Sequence, residues 1–308
     1  MRSSGAVEAS DAVLDSSPVR VGFVTQLLFA RYGPFWRGLV AGAGATVVLP
    51  TREGVMAHWD EVDPDLAPGL WFRLAAVQAS SLADCDLLVV PELNPEADEA
   101  RGSAQDRWVA DLPGALVDAV AGLPPLVPVA TFPDPGIESR AVALLQSLLH
   151  DGAAVKRVWA RHRADAAKPM PARSARSAGA AVEHSAMPTD ALVGQPWAVT
   201  EAVAAAGVRA GVTGLSQLSI DSQRLRSEGS SFDSRLIATD AEVIGAARIL
   251  SRRAGVTGLR FLHDETGSDA WLMKRVQQAV HKPVEPLSWR EVAPDHDGLG
   301  AFLNLSVD

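Results

Sequence analysis

The sequence predicts an α/β fold in which two lobes each contain a parallel sheet. Apolar runs of strand length alternate with segments that place apolar residues at helical spacing, before residue 168 and again after residue 188. Strands that are apolar throughout are typical of parallel sheets buried on both faces, whose strands are joined by right-handed helical crossovers. A chain of 308 residues is also long enough for two domains. We therefore expect two Rossmann-like lobes.

The first lobe is predicted over residues 19–167, after a disordered tail at 1–18. Its first strand is the valine-rich run at 19–24, followed by a helix that contains Trp36 and ends near Gly44. The remaining elements predicted for this lobe are a strand over 45–49, a polar loop over 51–68, helices over 70–83, 108–121 and 137–149, and strands over 86–93 and 126–132.

A flexible linker is predicted over residues 168–188, because that segment is rich in Ala, Arg, Ser and Pro and has no apolar period. The second lobe is predicted over 189–308 and repeats the alternation of the first. Its predicted elements are strands over 191–194, 208–212, 256–262 and 284–287, and helices over 197–206, 233–254 and 268–280.

A short internal echo supports two related lobes. Gly33 to Trp36 in the first lobe and Gly194 to Trp197 in the second share a Gly-x-x-Trp pattern ahead of a predicted helix and strand. If the lobes are related by this repeat, both segments are expected to border the same cleft between them. Clefts between domains are preferred sites for small molecules.

Composition excludes several classes of protein. The net charge of −9 argues against a nucleic-acid protein that acts through a global positive field. No run of 18 apolar residues suggests a membrane span, and the acidic residues near the N-terminus are not typical of a secretory signal. Cys85 is the only cysteine, so no intrachain disulfide can form. These features predict a cytoplasmic protein.

Several short apolar motifs recur through both predicted lobes: Tyr32 to Trp36, Gly44 to Val48, Asp86 to Pro91, Val193 to Trp197, Gly207-Val208 and Gly255 to Leu259. Through these motifs the chain resembles the 2-hydroxyacyl-CoA dehydratase family, and most closely its branch of uncharacterised proteins related to the dehydratase activators. The resemblance implies two α/β lobes that face a cleft, with the site at the carboxyl ends of the strands. Family dehydratases hold an iron–sulfur cluster there through cysteines and bind an acyl-CoA.

The chain departs from this family where the cluster would bind. The segments 51–68 and 263–267 contain no cysteine, and Cys85 precedes a predicted strand, at the opposite end from the site. Because thiolates are the usual cluster ligands, we expect no cofactor and no metal, and an iron–sulfur cluster is not expected. The first hypothesis is a non-redox binding or accessory protein that holds a small or CoA-like ligand in the cleft. The alternative is a dehydratase-type lyase whose metal centre is completed by a partner subunit or through non-cysteine ligands.

Candidate ligand-binding residues follow from the rule that open α/β sheets bind ligands beyond the carboxyl ends of their strands. The residues nominated in this way, with the two tryptophans of the echo, are Thr25, Gln26, Trp36, Glu92, Asn94, Gly194, Gln195, Trp197, His263 and Asp264. Gly194 and Gln195 are expected to offer backbone N–H groups to an anion at a helix start, with Trp197 as an apolar wall. The structural alternative is that Gly194 only turns the chain and Trp197 packs between the lobes.

Two further polar groups have alternative interpretations. His263, Asp264 and Glu265 could serve as a general base or bind a hard metal, but a solvated strand end is favoured, with Asp264 or Thr266 capping the next helix. The basic residues from Lys156 to Arg176 could bind a phosphate group or nucleic acid, but a solvated helix that runs into the linker is favoured. No catalytic residue is assigned, and association with identical or different chains is left open.

Overall fold

The computed structural model describes residues 17–94, 101–132, 134–167, 188–264, 267–292 and Leu303. These residues form an α/β structure with two four-stranded parallel sheets, as the sequence predicts. Most of the predicted linker and tail, and also Glu265 and Thr266, lie outside the described residues.

The first sheet has the strand order β2-β1-β3-β4. Its strands are β1 (Arg20–Phe23), β2 (Thr46–Val48), β3 (Leu87–Glu92) and β4 (Leu126–Ala130). The helices of this lobe are α1 (Gly33–Gly42), α2 (Arg52–Ala57), α3 (Leu70–Ser80), α4 (Arg107–Ala110), α5 (Leu112–Ala119), α6 (Ile137–Leu148) and α7 (Gly152–Ala166). Short 3-10 helices lie at Phe29–Arg31 and Gly102–Gln105.

The second sheet repeats this topology in the order β6-β5-β7-β8. Its strands are β5 (Thr189–Gly194), β6 (Leu215–Ser216), β7 (Val256–His263) and β8 (Val284–Ser288). The helices of this lobe are α8 (Glu201–Arg209), α9 (Ser222–Phe232), α10 (Ala238–Ser251), α11 (Gly267–Ala279) and α12 (Trp289–Val292), and a 3-10 helix lies at Gln217–Ser219.

Three elements of the first lobe differ from the prediction. The segment 51–68 contains α2, which begins where the Thr51 hydroxyl accepts a hydrogen bond from the Gly54 N–H. The single helix predicted over 108–121 is two helices, because Asp111 has non-helical backbone angles and caps the start of α5. A local polar cap therefore decides where each of these helices begins.

The second lobe differs from the prediction mainly around β6. The helix predicted to start at Trp197 begins at Glu201, where Thr200 is the capping residue, and its alanine-rich sequence continues through Val208 to Arg209. The strand predicted over 208–212 is therefore wrong, and the edge strand is the two-residue β6. The helix predicted over 233–254 begins at Ala238, and the polar helix α9 before it was not predicted.

The apolar core has one part in each lobe and one part shared between them. The cluster around Trp36 belongs to the first lobe and the cluster around Phe261 to the second. A third cluster contains Phe72 and Trp108 from the first lobe and Trp197 from the second. The rings of Trp108 and Trp197 meet edge to face with centroids 5.3 Å apart. The two lobes are therefore joined by a buried aromatic contact.

Within the described ranges, each helix is too short or too polar to cross a bilayer.

Candidate functional site

Three polar residues at the start of α10 contact three different segments of the first lobe. Thr239 accepts a hydrogen bond from Asn94, which follows β3, with 3.3 Å between Nδ2 and Oγ1. Asp240 binds Ser103, and Glu242 binds Arg31. Because Asn94 and Arg31 both lie beyond the carboxyl ends of strands, the strand ends of the first lobe face α10 of the second. The strand ends of the first lobe therefore face the second lobe, with α10 packed against them.

Asp240 is the centre of a buried hydrogen-bond network. Its Oδ1 accepts from the Ser103 hydroxyl at 2.6 Å and from Gln195 Nε2 at 3.1 Å, and its Oδ2 accepts from the Ser103 backbone N–H at 3.0 Å. Gln195 Nε2 also lies 2.6 Å from Ser103 Oγ. Burial raises the pKa of Asp240, whereas the hydrogen bonds from Ser103 and Gln195 oppose that shift. The network joins the two lobes through neutral donors.

Glu242 forms the second polar contact between the lobes. Arg31 donates to both of its carboxylate oxygens, at 2.8 and 2.5 Å, and Arg226 Nε donates to Oε1 at 2.7 Å. The Arg226 guanidinium also lies 4.4 Å from the ring centroid of Phe132, a residue that follows β4. The Glu242 side chain is 1% exposed, so removal of either guanidinium group would leave a buried carboxylate with one ion-pair partner fewer.

The backbone after β1 is occupied by a side chain of its own lobe. Gln78 Oε1, on α3, accepts hydrogen bonds from the N–H groups of Thr25 at 2.9 Å and Gln26 at 3.1 Å. All three residues are buried. The donors expected to bind a ligand beyond β1 therefore already have an internal acceptor, and the ligand-binding role of Thr25 and Gln26 stays a prediction.

Gly194 is the last residue of β5, and α8 begins only at Glu201, so Gly194 does not stand at a helix start as expected. Its N–H donates to Gln217 Oε1 at 3.2 Å. A Cβ on Gly194 would lie 2.9 Å from the Leu262 carbonyl oxygen, because β5 and β7 pack closely there. The absence of a side chain at this position therefore serves the packing of the sheet.

The two segments of the Gly-x-x-Trp echo are not equivalent in the structure. Gly33 is the first residue of α1, nine residues beyond Val24, whereas Gly194 ends a strand. Trp36 is fully buried in the first lobe and donates from Nε1 to the Ala130 carbonyl oxygen at 2.8 Å. Trp197 is 4% exposed and packs between the lobes, which is the structural alternative given above. The two lobes therefore share a strand order, but the two Gly-x-x-Trp segments do not occupy equivalent positions in them.

Three other predicted residues have local partners. Glu92 lies 3.3 Å from Arg140 at the end of β3, and burial raises the pKa of Glu92 while Arg140 opposes that shift. His263 is the last residue of β7, and the Asp264 N–H donates to Asp269 Oδ2 at 2.9 Å. The cap contact seen at this strand end therefore comes from Asp269 on α11.

The carboxyl groups of Asp264, Asp269 and Asp106 lie close to one another at this strand end, and those of Asp264 and Asp269 are buried. Burial and the neighbouring Asp264 raise the pKa of Asp269 well above its ordinary value. Burial also raises the pKa of Asp106, and a hydrogen bond with Ser268 opposes this rise. Among the residues that the structure describes, no group of three or more His, Cys, Asp and Glu side chains is arranged to hold a metal ion.

Cys85 lies just before β3, at the amino end of the sheet and away from the strand ends that face α10. It is buried, and burial raises the pKa of its thiol. The only thiol in the sequence is therefore far from the boundary at which a ligand is expected.

A cavity of about 330 Å³ opens at the boundary between the lobes, next to the Asp240 network. It is lined by Arg101, Gly102 and Gln105 from the first lobe and by Asp233, Arg235, Leu236, Ile237, Asp240, Trp271 and Arg275 from the second. We call it the interlobe pocket. Of the sequence-predicted site residues, none lines it, although Gln195 and Asn94 contact residues of α10 beside it.

Arginine side chains dominate the polar part of the interlobe pocket. Asp233 pairs with Arg235 Nε at 3.2 Å and with Arg275 at 2.7 Å. Gly102 has φ +58°, and a Cβ there would lie 2.3 Å from Asp240 Oδ2. Only glycine allows the 3-10 helix to approach α10 this closely. The backbone of one lobe and the side chains of the other therefore form the pocket together.

One sequence signal could have indicated this region. Asp240 stands three and four residues before Val243 and Ile244, so it lies on the apolar face of the predicted helix. A carboxyl group on a buried face requires partners, and these come from Ser103 and Gln195. The identity of those partners could not be read from the pattern.

Compared with known protein families, with curated proteins and with solved structures, the chain matches none of them.

Proposed function

We propose that this chain is a non-redox binding protein on a scaffold similar to that of the 2-hydroxyacyl-CoA dehydratases, and that the interlobe pocket holds a small anionic ligand. One observation carries the proposal: the pocket is lined by three arginines, Arg101, Arg235 and Arg275, against two aspartates. The first lobe contributes one guanidinium group and the second lobe two, so a bound anion would contact both lobes.

The electrostatics of the pocket favour an anion over a cation. Asp233 is shared by Arg235 and Arg275, so one carboxylate faces two guanidinium groups. Asp240 is buried, and burial raises its pKa, which favours its neutral form. Guanidinium groups in a partly closed, partly apolar cavity bind carboxylate and phosphate oxygens through charge-assisted hydrogen bonds.

The volume of the pocket suits a small ligand. A cavity of about 330 Å³ is at the lower end of the size range of small-molecule sites, roughly 300–1,000 Å³. A CoA-like ligand would therefore place one end in the pocket and leave the remainder outside. The non-redox part of the proposal rests on the sequence, in which Cys85 is the only cysteine that could ligate a cluster.

Calorimetric titration of the purified full-length chain would test the proposal. We expect small anions such as acetate, benzoate or inorganic phosphate to release or absorb heat on binding, and the cation ethylammonium to show no binding. Arg275→Gln should weaken anion binding by about tenfold or more, because a hydrogen bond to a charged group contributes about 1.5–3 kcal/mol.

A matched variant controls for the loss of positive charge. Arg157→Gln also removes one guanidinium group, but Arg157 is exposed on α7 and pairs with Asp151. Equal weakening by both variants, or binding that neither variant changes, would contradict the pocket. Iron bound to protein purified without oxygen would contradict the non-redox part and favour the lyase alternative.

Two further expectations accompany this proposal as predictions from the sequence. The first is a cytoplasmic location. The second is that the chain can associate either with identical chains or with different ones.

A further inference from the structure

We infer that the second lobe has a further anion site, a groove between α9 and the end of α10 that binds a phosphate group, either free or carried by a small molecule. The inference goes beyond the proposed function, because this groove and the interlobe pocket share no lining residue. We call it the α9–α10 groove. The residues that line it are Arg224, Ser227, Glu228, Ser231, Ile249, Arg252 and Arg253.

The groove follows from the spacing of these residues on two packed helices. The four lining positions on α9 are 224, 227, 228 and 231, which share one face of a helix. The positions 249, 252 and 253 are likewise adjacent at the end of α10. The helices approach closely because Gly229 has no side chain, since a Cβ there would overlap the Ala241 carbonyl oxygen. The two helices together line a cavity of about 530 Å³.

Glu228 is the one carboxylate that lines the groove. Arg248 Nε donates to its Oε1 at 2.7 Å, and Arg252 donates to the same oxygen at 2.9 Å. The hydrogen bond from Arg248 lowers the pKa of Glu228, and the bond from Arg252 acts in the same direction, so the carboxylate is ionised near neutral pH. Its single charge is thus shared by two guanidinium groups.

Arg224 and Arg253 provide the positive charge that remains. Both side chains are exposed, and within the described ranges neither is paired with a carboxylate. Asp221 accepts from the Arg224 backbone N–H at 3.1 Å, but it does not line the groove. Lys282 Nζ donates to the Arg253 carbonyl oxygen at 3.0 Å and adds a further cation there. The groove is therefore locally positive, although the whole chain has a net charge of −9.

This arrangement of donors suits a phosphate better than a carboxylate. Guanidinium groups come from two helices, so their N–H groups converge from different directions. A phosphate monoester has three terminal oxygens and a charge of roughly −1.5 to −2 near neutral pH, whereas a carboxylate has two oxygens in one plane. The exposed Ser227 hydroxyl is a further possible donor. The volume lies within the range of small-molecule sites, roughly 300–1,000 Å³, so there is room for the body of a phosphate ester.

Calorimetric titration of the full chain at constant ionic strength would test the inference with three probes: inorganic phosphate, glycerol 3-phosphate and acetate. We expect both phosphates to bind the groove more tightly than acetate does. Arg224→Gln and Arg253→Gln should each weaken phosphate binding by about threefold or more, and their combination by about tenfold, because exposed charges are partly screened by solvent. Arg253→Gln retains the carbonyl oxygen that Lys282 contacts.

Two comparison variants locate the effect. Arg209→Gln removes an exposed guanidinium group at the end of α8 in the same lobe, outside the groove, and should leave phosphate binding unchanged. Arg275→Gln alters the interlobe pocket and not the groove. In the Arg275→Gln chain we therefore expect phosphate binding that Arg253→Gln still weakens.

The outcomes are distinct from those that test the interlobe pocket. Equal weakening of phosphate binding by Arg209→Gln and Arg253→Gln would overturn the groove, because the effect would then come from overall charge. Phosphate binding abolished by Arg275→Gln alone would overturn it too. Acetate binding as tightly as phosphate, with the same response to Arg253→Gln, would overturn the phosphate class. Tighter binding of glycerol 3-phosphate would support a phosphate ester as the ligand, and equal binding of the two phosphates would support free phosphate.

Discussion

Ser103 and Asp240 are joined by two hydrogen bonds across the boundary between the lobes. The Ser103 N–H and hydroxyl donate to different oxygens of the same carboxyl group, at 3.0 and 2.6 Å, and both residues are buried. The two positions are 137 residues apart in the chain. This paired contact therefore holds the 3-10 helix of the first lobe against α10 of the second.

Removal of the Ser103 hydroxyl is expected to destabilise the whole chain. In Ser103→Ala, Asp240 loses one donor and Gln195 loses a partner, at a cost of about 1–3 kcal/mol of unfolding free energy. Urea unfolding at neutral pH measures this loss. Ser230→Ala, at an exposed position on α9, serves as the control and should change stability by less than about 0.5 kcal/mol. A smaller loss in Ser103→Ala than in the control would contradict the network.

Glu242 should contribute more to stability than a similar ion pair within one lobe. Glu242→Ala leaves Arg31 and Arg226 without their shared carboxylate, and we expect a loss of about 3 kcal/mol or more. Glu228 pairs with Arg248 and Arg252 inside the second lobe, but its side chain is 23% exposed against 1% for Glu242. Glu228→Ala should therefore cost less in the same denaturation experiment, and the reverse order would count against a stabilising role for the lobe boundary.

Stability should fall as pH rises through the range in which Asp269 titrates. Its carboxyl group has an ordinary pKa of about 3.9 in the unfolded chain and a raised pKa in the folded one. Between these values the folded state keeps a proton that the unfolded state has lost, so raising the pH favours unfolding.

Asp269→Asn removes this titration and keeps an oxygen that can accept from the Asp264 N–H. We expect the stability of the variant relative to wild type to increase as pH rises from about 4 towards neutral. Urea unfolding at a series of pH values measures the difference, and other carboxyl groups largely cancel because both proteins share them. A relative stability of Asp269→Asn that is constant with pH would refute the raised pKa.

Gly194→Ala should be destabilising although the residue is not in a left-handed conformation. The added Cβ would approach the Leu262 carbonyl oxygen to 2.9 Å, and backbone atoms of β7 cannot move aside cheaply. We expect a loss of about 1–3 kcal/mol. Gly255→Ala is the matched control, because a Cβ there would meet no atom within 4 Å. The larger substitution Gly194→Val is thus expected to disturb the sheet before it could block a ligand.

Cys85 should react slowly with thiol reagents in the folded chain. Burial raises the pKa of the thiol and limits access, so modification by a disulfide reagent should become fast only in urea. Cys85→Ala should leave benzoate binding at the interlobe pocket unchanged. Loss of bound iron on this substitution would reveal a cluster shared between chains and would contradict the non-redox proposal.

The strands were largely predictable because parallel strands buried on both faces are apolar throughout. The runs that contain Val21, Leu88 and Phe261 are examples, and all three residues are buried in their sheets. β6 was missed because a two-residue edge strand has no pattern, and the valines at 208 and 212 suggested a strand in its place. The polar helix α9 was missed because it buries only Leu225 and Gly229.

The pocket was not predictable because its residues are brought together by contacts between distant parts of the chain. Arg101 and Arg275 come from different lobes, and neither follows a strand directly. The rule that ligands bind beyond strand ends indicated the correct boundary, as Asn94 and Gln195 show by their contacts. It could not indicate that Gln78 and Gln217 already accept hydrogen bonds from backbone N–H groups after β1 and at the end of β5. Nor could it indicate that α10 packs against this boundary.

The aromatic contact between Trp108 and Trp197 has a consequence for a chain that is cut. These two residues stand on opposite sides of segment 168–187, as do Arg31 and Glu242. Cleavage within that segment would therefore leave two pieces whose mutual surface contains a buried aromatic contact and an ion pair. Buried aromatic contacts are typical of the centres of protein–protein interfaces. The two pieces are expected to elute together. When they are produced as separate polypeptides, they are expected to associate as two subunits do.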